Sequence, residues 1–508
     1  MLGLIFSGRA AAEGNDSEFS VSGYLQNQTG YFFSSDKYKF ETVPGKGDFP
    51  VDHGGYGGQL SMFRNTFQLE AEWKPAEKVT VFAIFRGVRS AILEADRYAQ
   101  VPDPGSTPDP RRWVQENYYT ENELRELYLD VEATDRLSFR LGRQQVAWGD
   151  TGQYRLLDVV NPIDGTWHFS AFESFKDTRM PLWLMKGLYD LPELSGSLEF
   201  VWMPALDRGE DMVTPPLTLV GAWGLPLPPE QEYQSAYEIK KKVFIYPDNK
   251  LEDSRLGANW KGTAGSLTYS LAYFYTHILS PPILKHAVFK FEGGGGEVKE
   301  LALNFPRQHI AGFSLDYAFS YPVGTVVRFE AAVEPDRPYP IKTMRGFPQG
   351  RTEPMDSPNE QKLVFPLDRK PTFSYALVFT QPAMLRFLNP TQSTMINFQL
   401  FQTIVPNIDK LEQLIEIPGY DTTEVPTVST KLILAIMTSY AHGAVSPMLV
   451  GIFDPAGGVA VRAASSFTLG NHWRLSAGVH YIWASDPYKG LGLFRDRDEI
   501  FTKVQYQF

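Results

Sequence analysis

The sequence predicts an all-β fold: a transmembrane antiparallel β-barrel of about 18 strands, in the range 16–18, with short periplasmic turns and long extracellular loops. Three observations predict it. Apolar and polar residues alternate with a period of two in many short runs, the last of these runs ends on an aromatic residue, Phe508, and short and long connections alternate between the runs.

The composition is that of a membrane barrel. Aromatic residues make up 14 % of the 508 positions, with 25 Tyr and 35 Phe. Apolar content is only 43 % and mean hydropathy is −0.25. Apolar runs such as Leu432 to Met437 are far shorter than the roughly 20 residues a spanning helix needs. Barrels combine these properties because lipid-facing and lumen-facing side chains alternate, which holds the average near that of a soluble protein. Lys plus Arg number 48 against 59 Asp plus Glu, a net charge of −11, and no basic stripe is present. That argues against a nucleic-acid partner. With no cysteine there is no disulfide framework, thiolate metal site or covalent haem attachment.

Residues 1–12 read as the remnant of a signal peptide. Leu2 to Phe6 resembles the end of an apolar core and Ala10-Ala11-Ala12 a small-residue cleavage site. An ordinary frayed terminus is the alternative. Residues 13–508 are read as a single barrel.

The phase is clearest at the end of the chain. Ile500, Thr502, Val504, Tyr506 and Phe508 form a lipid face, and Phe501, Lys503, Gln505 and Gln507 a lumen face. Lys503 stands where the terminal assembly signal often carries glycine. One run earlier, Trp473, Leu475, Ala477, Val479, Tyr481 and Trp483 alternate with Arg474, Ser476, Gly478 and His480, which puts a Trp at each interfacial girdle. Gly470-Asn471 is a tight turn to the run Val459 to Leu469. Near the start, Phe63, Phe67, Leu69, Ala71 and Trp73 oppose Arg64, Gln68, Glu70 and Glu72, and Leu127, Leu129 and Val131 oppose Glu126, Tyr128 and Asp130. Further short turns fall at 74–77, 133–135, near Pro192, and at 263–265, 322–324 and 389–390. Long loops are expected at 34–58, 94–121, 149–180, 204–253, 280–306, 336–370, 406–429 and 485–498. Within them, Gly293 to Gly296 reads as a loop tip and Asp409 to Glu416 as a short helix.

Several blocks carry a family resemblance: Leu141-Gly142-Arg143-Gln144, running on to Trp148-Gly149, then Asn161-Pro162-Ile163-Asp164, with Arg386 to Gln392 and Gly492 to Glu499 further along. Together they resemble the outer-membrane barrels grouped as domain-of-unknown-function 1302. The resemblance implies a large monomeric barrel that works beside inner-membrane exporters of the resistance-nodulation-division type on hydrophobic compounds. It implies no established ligand and no catalytic residue.

Charge on a lipid-facing side costs roughly 2–4 kcal/mol at the bilayer midplane, so charged residues within strands are assigned to the lumen. The expected pore-lining set is Arg64, Arg86, Arg140, Arg328, Arg462 and Arg474, with Glu70, Glu72, Glu126, Asp130 and Glu330 facing them. Opposed walls would set a transverse field; a salt-bridged, merely wet lumen is the alternative. The connection 149–180 is too aromatic to hang in water. It is expected to fold inward, carrying Tyr154, as a constriction or plug with Trp167, Phe169 and Phe172 as its apolar body. Arg155, Asp158, Glu173, Asp177 and Arg179 would anchor it to the wall by ion pairs. The apolar stretch Met212 to Pro229 is read as a collecting surface for an amphiphile, or as a loop resting on the rim or in lipopolysaccharide.

No Gly-x-Ser-x-Gly or His-Glu-x-x-His motif is present, and no Gly-rich run leads into a phosphate-binding helix. Asp496, Asp498 and Glu499 form an acidic cluster, read as a solvated hairpin with Arg495 and Arg497 rather than a calcium site. No catalytic residue, metal or cofactor is assigned. The expected function is an outer-membrane channel for small hydrophobic or amphiphilic molecules. A porin for small hydrophilic or anionic solutes, and a closed structural sleeve linked to an exporter, stand as alternatives. Expected partners are outer-membrane lipid and lipopolysaccharide, the barrel-assembly machinery, and an inner-membrane exporter or periplasmic protein.

Overall fold

In the computed structural model, the described residues are 18–33, 58–92, 115–116, 119–149, 151, 154–164, 168–204, 223, 237–239, 242–245, 251–278, 283–292, 295–320, 324–340, 351–353, 355, 357, 359–365, 367–408, 414–416, 424–486, 490–495 and 497–508. The signal-peptide reading of residues 1–12 and most of the stretch 212–229 lie outside them.

The first strands are β1 (Glu18–Phe32), β2 (Leu60–Ala76), β3 (Val79–Ser90), β4 (Thr120–Glu132), β5 (Leu137–Gln144), β6 (Leu182–Leu191) and β7 (Gly196–Met203). Next come β8 (Tyr237–Ile239), β9 (Lys242–Ile245), β10 (Arg255–Ala264), β11 (Leu267–His277), β12 (Ile283–Glu292), β13 (Gly295–Asn304), β14 (Arg307–Ala318) and β15 (Val326–Tyr339). They are followed by β16 (Arg351–Glu353), β17 (Glu360–Val364), β18 (Asp368–Ala383), β19 (Thr394–Ile404) and β20 (Val428–Met437). The last four are β21 (Val445–Asp454), β22 (Gly458–Leu469), β23 (Trp473–Ala484) and β24 (Glu499–Gln507).

Eighteen of these strands form one closed antiparallel barrel. Closure runs through β24 and β1, in register from Tyr24 opposite Gln507 to Phe32 opposite Glu499. Phe508 extends the ladder: its N–H donates to the Gly23 carbonyl and its carbonyl accepts from the Gly23 N–H, both at 3.0 Å. The lipid phase read from the sequence holds here, with Ile500, Val504 and Phe508 exposed and Glu499 and Phe501 buried. Exposed aromatic residues form two outer belts. Phe19, Trp73, Tyr189, Tyr317 and Trp473 lie toward the short turns, and Tyr31, Trp183, Phe453 and Trp483 toward the long connections. Closure leaves the barrel sheet without an open edge, whose backbone groups lipid could not satisfy.

Several expectations are corrected. The long connections 204–253, 280–306 and 336–370 supply a second sheet of six strands, in the order β16-β17-β12-β13-β8 with β9 also on β13. Ala287, Phe289 and Val298 of this sheet pack against Tyr339, Phe365, Val405, Leu414 and Val425. Four of its strands have five residues or fewer, and β12 and β13 slip register at Leu284/His286 and again at Val288/Phe289. Alternation therefore never runs long enough to read as a strand. Gly295 and Gly296 belong to β13 rather than to a loop tip. Leu414 and Ile415, at the end of the expected helix, are buried, and Ile415 forms a bridge with Glu424; residues 409–413 lie outside the described residues. One connection on the long side, between β21 and β22, is a tight turn in which Asp454 Oδ1 accepts the Ala456 N–H.

Candidate functional site

The connection from β5 to β6 lies inside the barrel, and its first part is built by the motif residues. Asn161 is fully buried and pins three strands of backbone together. Its Oδ1 accepts the Val146 N–H at 2.7 Å, while its Nδ2 donates to the carbonyls of Met180 (2.8 Å) and Gln144 (3.3 Å). Backbone pairs Met180 N–H to Pro162 O and Asp164 N–H to Thr178 O complete the hinge. Arg143 closes it from the wall, donating to Leu124 O and to Glu123 at 2.8 Å each. Trp148 packs edge-on to Phe274 with centroids 5.8 Å apart and donates to Glu199.

Wall glycines make the room. A Cβ on Gly257 would lie 2.4 Å from the Trp148 ring, and one on Gly312 2.5 Å from Leu157. Glu330, expected as a free lumen charge, is wholly buried beneath the segment and accepts the Leu157 N–H at 2.9 Å. Leu156 packs on Ala376 and Phe401, and the Tyr154 ring lies 5.1 Å from that of Phe401. Burial pushes the Tyr154 phenol well up from its ordinary value.

The segment then crosses to the opposite strands. The Phe172 ring stacks on His480 of β23 at 4.3 Å, its carbonyl accepts from Arg462 of β22, and Phe169 meets Phe494 at 4.6 Å. Trp223, from the stretch read as an exposed collecting surface, is instead buried between His168 and Phe32. Glu173 pairs with Arg64 of β2 at 3.0 Å, and Arg64 also donates to Gln28 at 2.7 Å. Burial alone would raise the Glu173 pKa. Arg64, His168, Lys503 and Arg462 outweigh it and hold the carboxyl well below the usual carboxylate range. A single helical turn, Phe175–Thr178, ends against two wall arginines. Arg125 donates to the carbonyls of Asp177 (2.9 Å) and Arg179 (2.7 Å), and Arg86 to that of Asp177 (3.2 Å). Guanidinium groups there satisfy carbonyls that the turn leaves open.

The expected anchoring by ion pairs is therefore corrected in part. Glu173 reaches the wall as a carboxylate. Arg155 and Arg179 each pair with Asp158 inside the segment, at 3.2 Å and 2.7 Å. For Asp177, the hydrogen bonds to the wall arginines go through its carbonyl. Trp167 lies outside the described residues.

The opposed charged walls are corrected too, because the pairs form within one strand or between neighbouring strands. Arg140 chelates Asp130 at 2.7 and 2.8 Å, and Arg328 pairs with Asp316, a partner missed in the sequence. Glu72 pairs with Lys74, Glu70 accepts from Gln68, and Glu126 accepts from Gln145. Arg125 was also missed, since a bulge in β4 points both Arg125 and Glu126 inward where strict alternation allows one. The acidic run is not a solvated hairpin: Arg497, Asp498 and Glu499 are buried. Arg495 donates to Ala484 O and Asp498 accepts the Ile482 N–H; Asp496 lies outside the described residues.

Beside the segment is a cavity of about 340 Å³. Ala171, Phe172, Met448, Val450 and Phe501 are its apolar lining, and Arg462, Arg474, Lys503, Glu173 and Asp177 its charged lining. Arg474 is exposed and carries no ion pair among the described residues. A second, charged cavity of about 20 Å³ lies among Arg64, Arg86, Arg125, Glu121 and Asp177, room for about one water.

Solved porin structures resemble the chain at low identity. One is Acinetobacter baumannii OccAB1, at 10% identity and TM-score 0.49, covering 97% of each chain. Another is Pseudomonas aeruginosa OpdK with vanillate, at 9% identity and TM-score 0.46, covering 97% of this chain and 98% of that one. Salmonella typhi OmpF in complex with daunomycin has 9% identity and TM-score 0.40, covering 98% of this chain and 100% of that one. No curated protein matches the chain. The family model described as protein of unknown function DUF1302 matches residues 56–508, so the chain belongs to that family.

Proposed function

We propose that the chain is a channel in the outer membrane of a Gram-negative bacterium, passing small amphiphilic molecules that carry a negative group, with segment 149–180 as its constriction. The observation that carries this reading is the segment laid across the lumen, beside a cavity lined by both apolar and cationic side chains. An exposed apolar band between two aromatic belts supports the membrane location. Arg462, Arg474 and Lys503 outnumber Glu173 and Asp177 in the cavity, which favours an anionic head group, and Phe172, Phe501 and Met448 suit an apolar body. The reading assigns no catalysis.

Planar-bilayer recording tests it. Deleting 165–175 is expected to raise single-channel conductance, and unchanged conductance would remove the constriction role. Wild-type protein that passes no current would favour a closed sleeve instead. Arg474→Gln is expected to slow liposome entry of a carboxylated aromatic probe roughly fivefold against an uncharged sugar, the factor that about 1 kcal/mol of attraction at ~4 Å in water provides. Equal slowing of both probes would count against charge selection.

A further inference from the structure

We propose that His168, His480 and Glu499 form a site for one divalent transition-metal ion of the zinc class, tying the segment across the lumen to the barrel wall. The assignment stands apart from the transport reading. The three donors come from three parts of the chain: the crossing segment, β23 and β24. His168 Nε2 lies 3.2 Å and His480 Nδ1 2.8 Å from the same oxygen, Glu499 Oε2, and the three ligand atoms all fall within 4.8 Å of one another. Bonds of about 2.0–2.1 Å in a tetrahedral zinc site place ligand atoms roughly 3.3 Å apart, so the cluster needs only a small adjustment to close on an ion. Two imidazoles and one carboxylate match a zinc set that keeps a fourth position open. Here His168 and His480 both border the 340 Å³ cavity, which gives an ion its way in.

The surroundings fit the same assignment. Ser61 donates to Glu499 Oε1, which leaves Oε2 for the two histidines. With both rings donating to Glu499, His168 Nδ1 and His480 Nε2 are buried without a hydrogen-bond partner. His168 Nδ1 faces Glu173 Oε1 at 3.6 Å, an unfavourable approach for an unprotonated nitrogen. An ion on Nε2 places the proton on Nδ1, where it points at Glu173. That is the carboxylate–histidine–metal arrangement that orients metal-binding imidazoles. Trp223 at 4.2 Å from the His168 ring, and Phe172 and Phe501 at 4.3 and 4.5 Å from the His480 ring, supply an apolar shell.

The test uses the full chain, purified in detergent without a polyhistidine tag and dialysed against zinc. One zinc per chain is expected. His168→Gln or His480→Gln should weaken binding at least about 100-fold, and Ser61→Ala about tenfold. His472→Gln, at an exposed histidine, should change nothing. X-ray absorption of the zinc-loaded wild type, which needs no variant to fold, should show two imidazole ligands and a carboxylate. Zinc should also slow hydrogen exchange across 168–173. Binding no tighter than in the histidine variants, or an oxygen-only absorption spectrum, would overturn the site. Unchanged exchange at 168–173 would overturn the tie.

Discussion

Residues 144–164 and 168–179 belong to one connection yet are fastened in different ways. The first stretch is joined to the returning chain by backbone hydrogen bonds and by Asn161, with Trp148 and Leu157 seated against wall glycines. The second is held to the barrel wall by side chains: Glu173 to Arg64, Phe172 to His480, and wall arginines on carbonyls. Hinge contacts of the first kind cannot be given up without leaving buried backbone groups unpaired, whereas side-chain contacts of the second kind can be exchanged for water or ligand. Motion in this connection should therefore pivot near Asn161 and release near Glu173.

Breaking the hinge should have the largest effect. Asn161→Ala strands Val146 N–H and two carbonyls, a loss of roughly 4 kcal/mol. Hydrogen exchange should then accelerate along the whole connection, not at the tip alone. Uniform protection retained in the variant would erase the distinction between the two halves.

Arg64→Gln should cost about 3 kcal/mol by leaving Glu173 buried without its main partner. The pH dependence sharpens the point. The folded Glu173 pKa is depressed, so its contribution is present above the ordinary carboxylate value and is lost only as pH falls through the lowered one. Wild-type conductance should stay flat as pH is lowered past about 4 and rise only below that. In Arg64→Gln the rise should move to higher pH. Identical profiles would mean that Glu173 does not hold the tip.

The smallest effect is expected for Phe172→Leu, which removes the stacked pair with His480 and costs about 1 kcal/mol. Exchange should quicken at 168–173 while the hinge stays protected. Slowed exchange at the tip, or exposure of the hinge, would reverse the comparison.

Legibility in the sequence followed the range of the interactions. Strand number, the phase of β24 and the inward face of β2 were readable from residues two apart, because lipid on one side and water on the other impose the alternation locally. The inward position of Phe169 and Phe172 was suggested by their apolar surface alone. Reading failed wherever a partner was distant. Asp316 as the partner of Arg328, Glu330 beneath Leu157, and Glu499 between two histidines each depend on which strands become neighbours. The β4 bulge broke the count at Arg125, and the six-stranded second sheet draws on three connections whose own alternation is too short to register.

By itself, then, the sequence determined a closed alternating wall ending on Phe508, since each strand carries its two-residue pattern wherever it is placed. Only the tertiary structure decided what fills that wall. The burial of Asn161 comes from partners 15 to 19 residues away, the pairing of Glu173 from one 109 away and the meeting of His168 with Glu499 from one 331 away, all beyond the reach of a two-residue pattern.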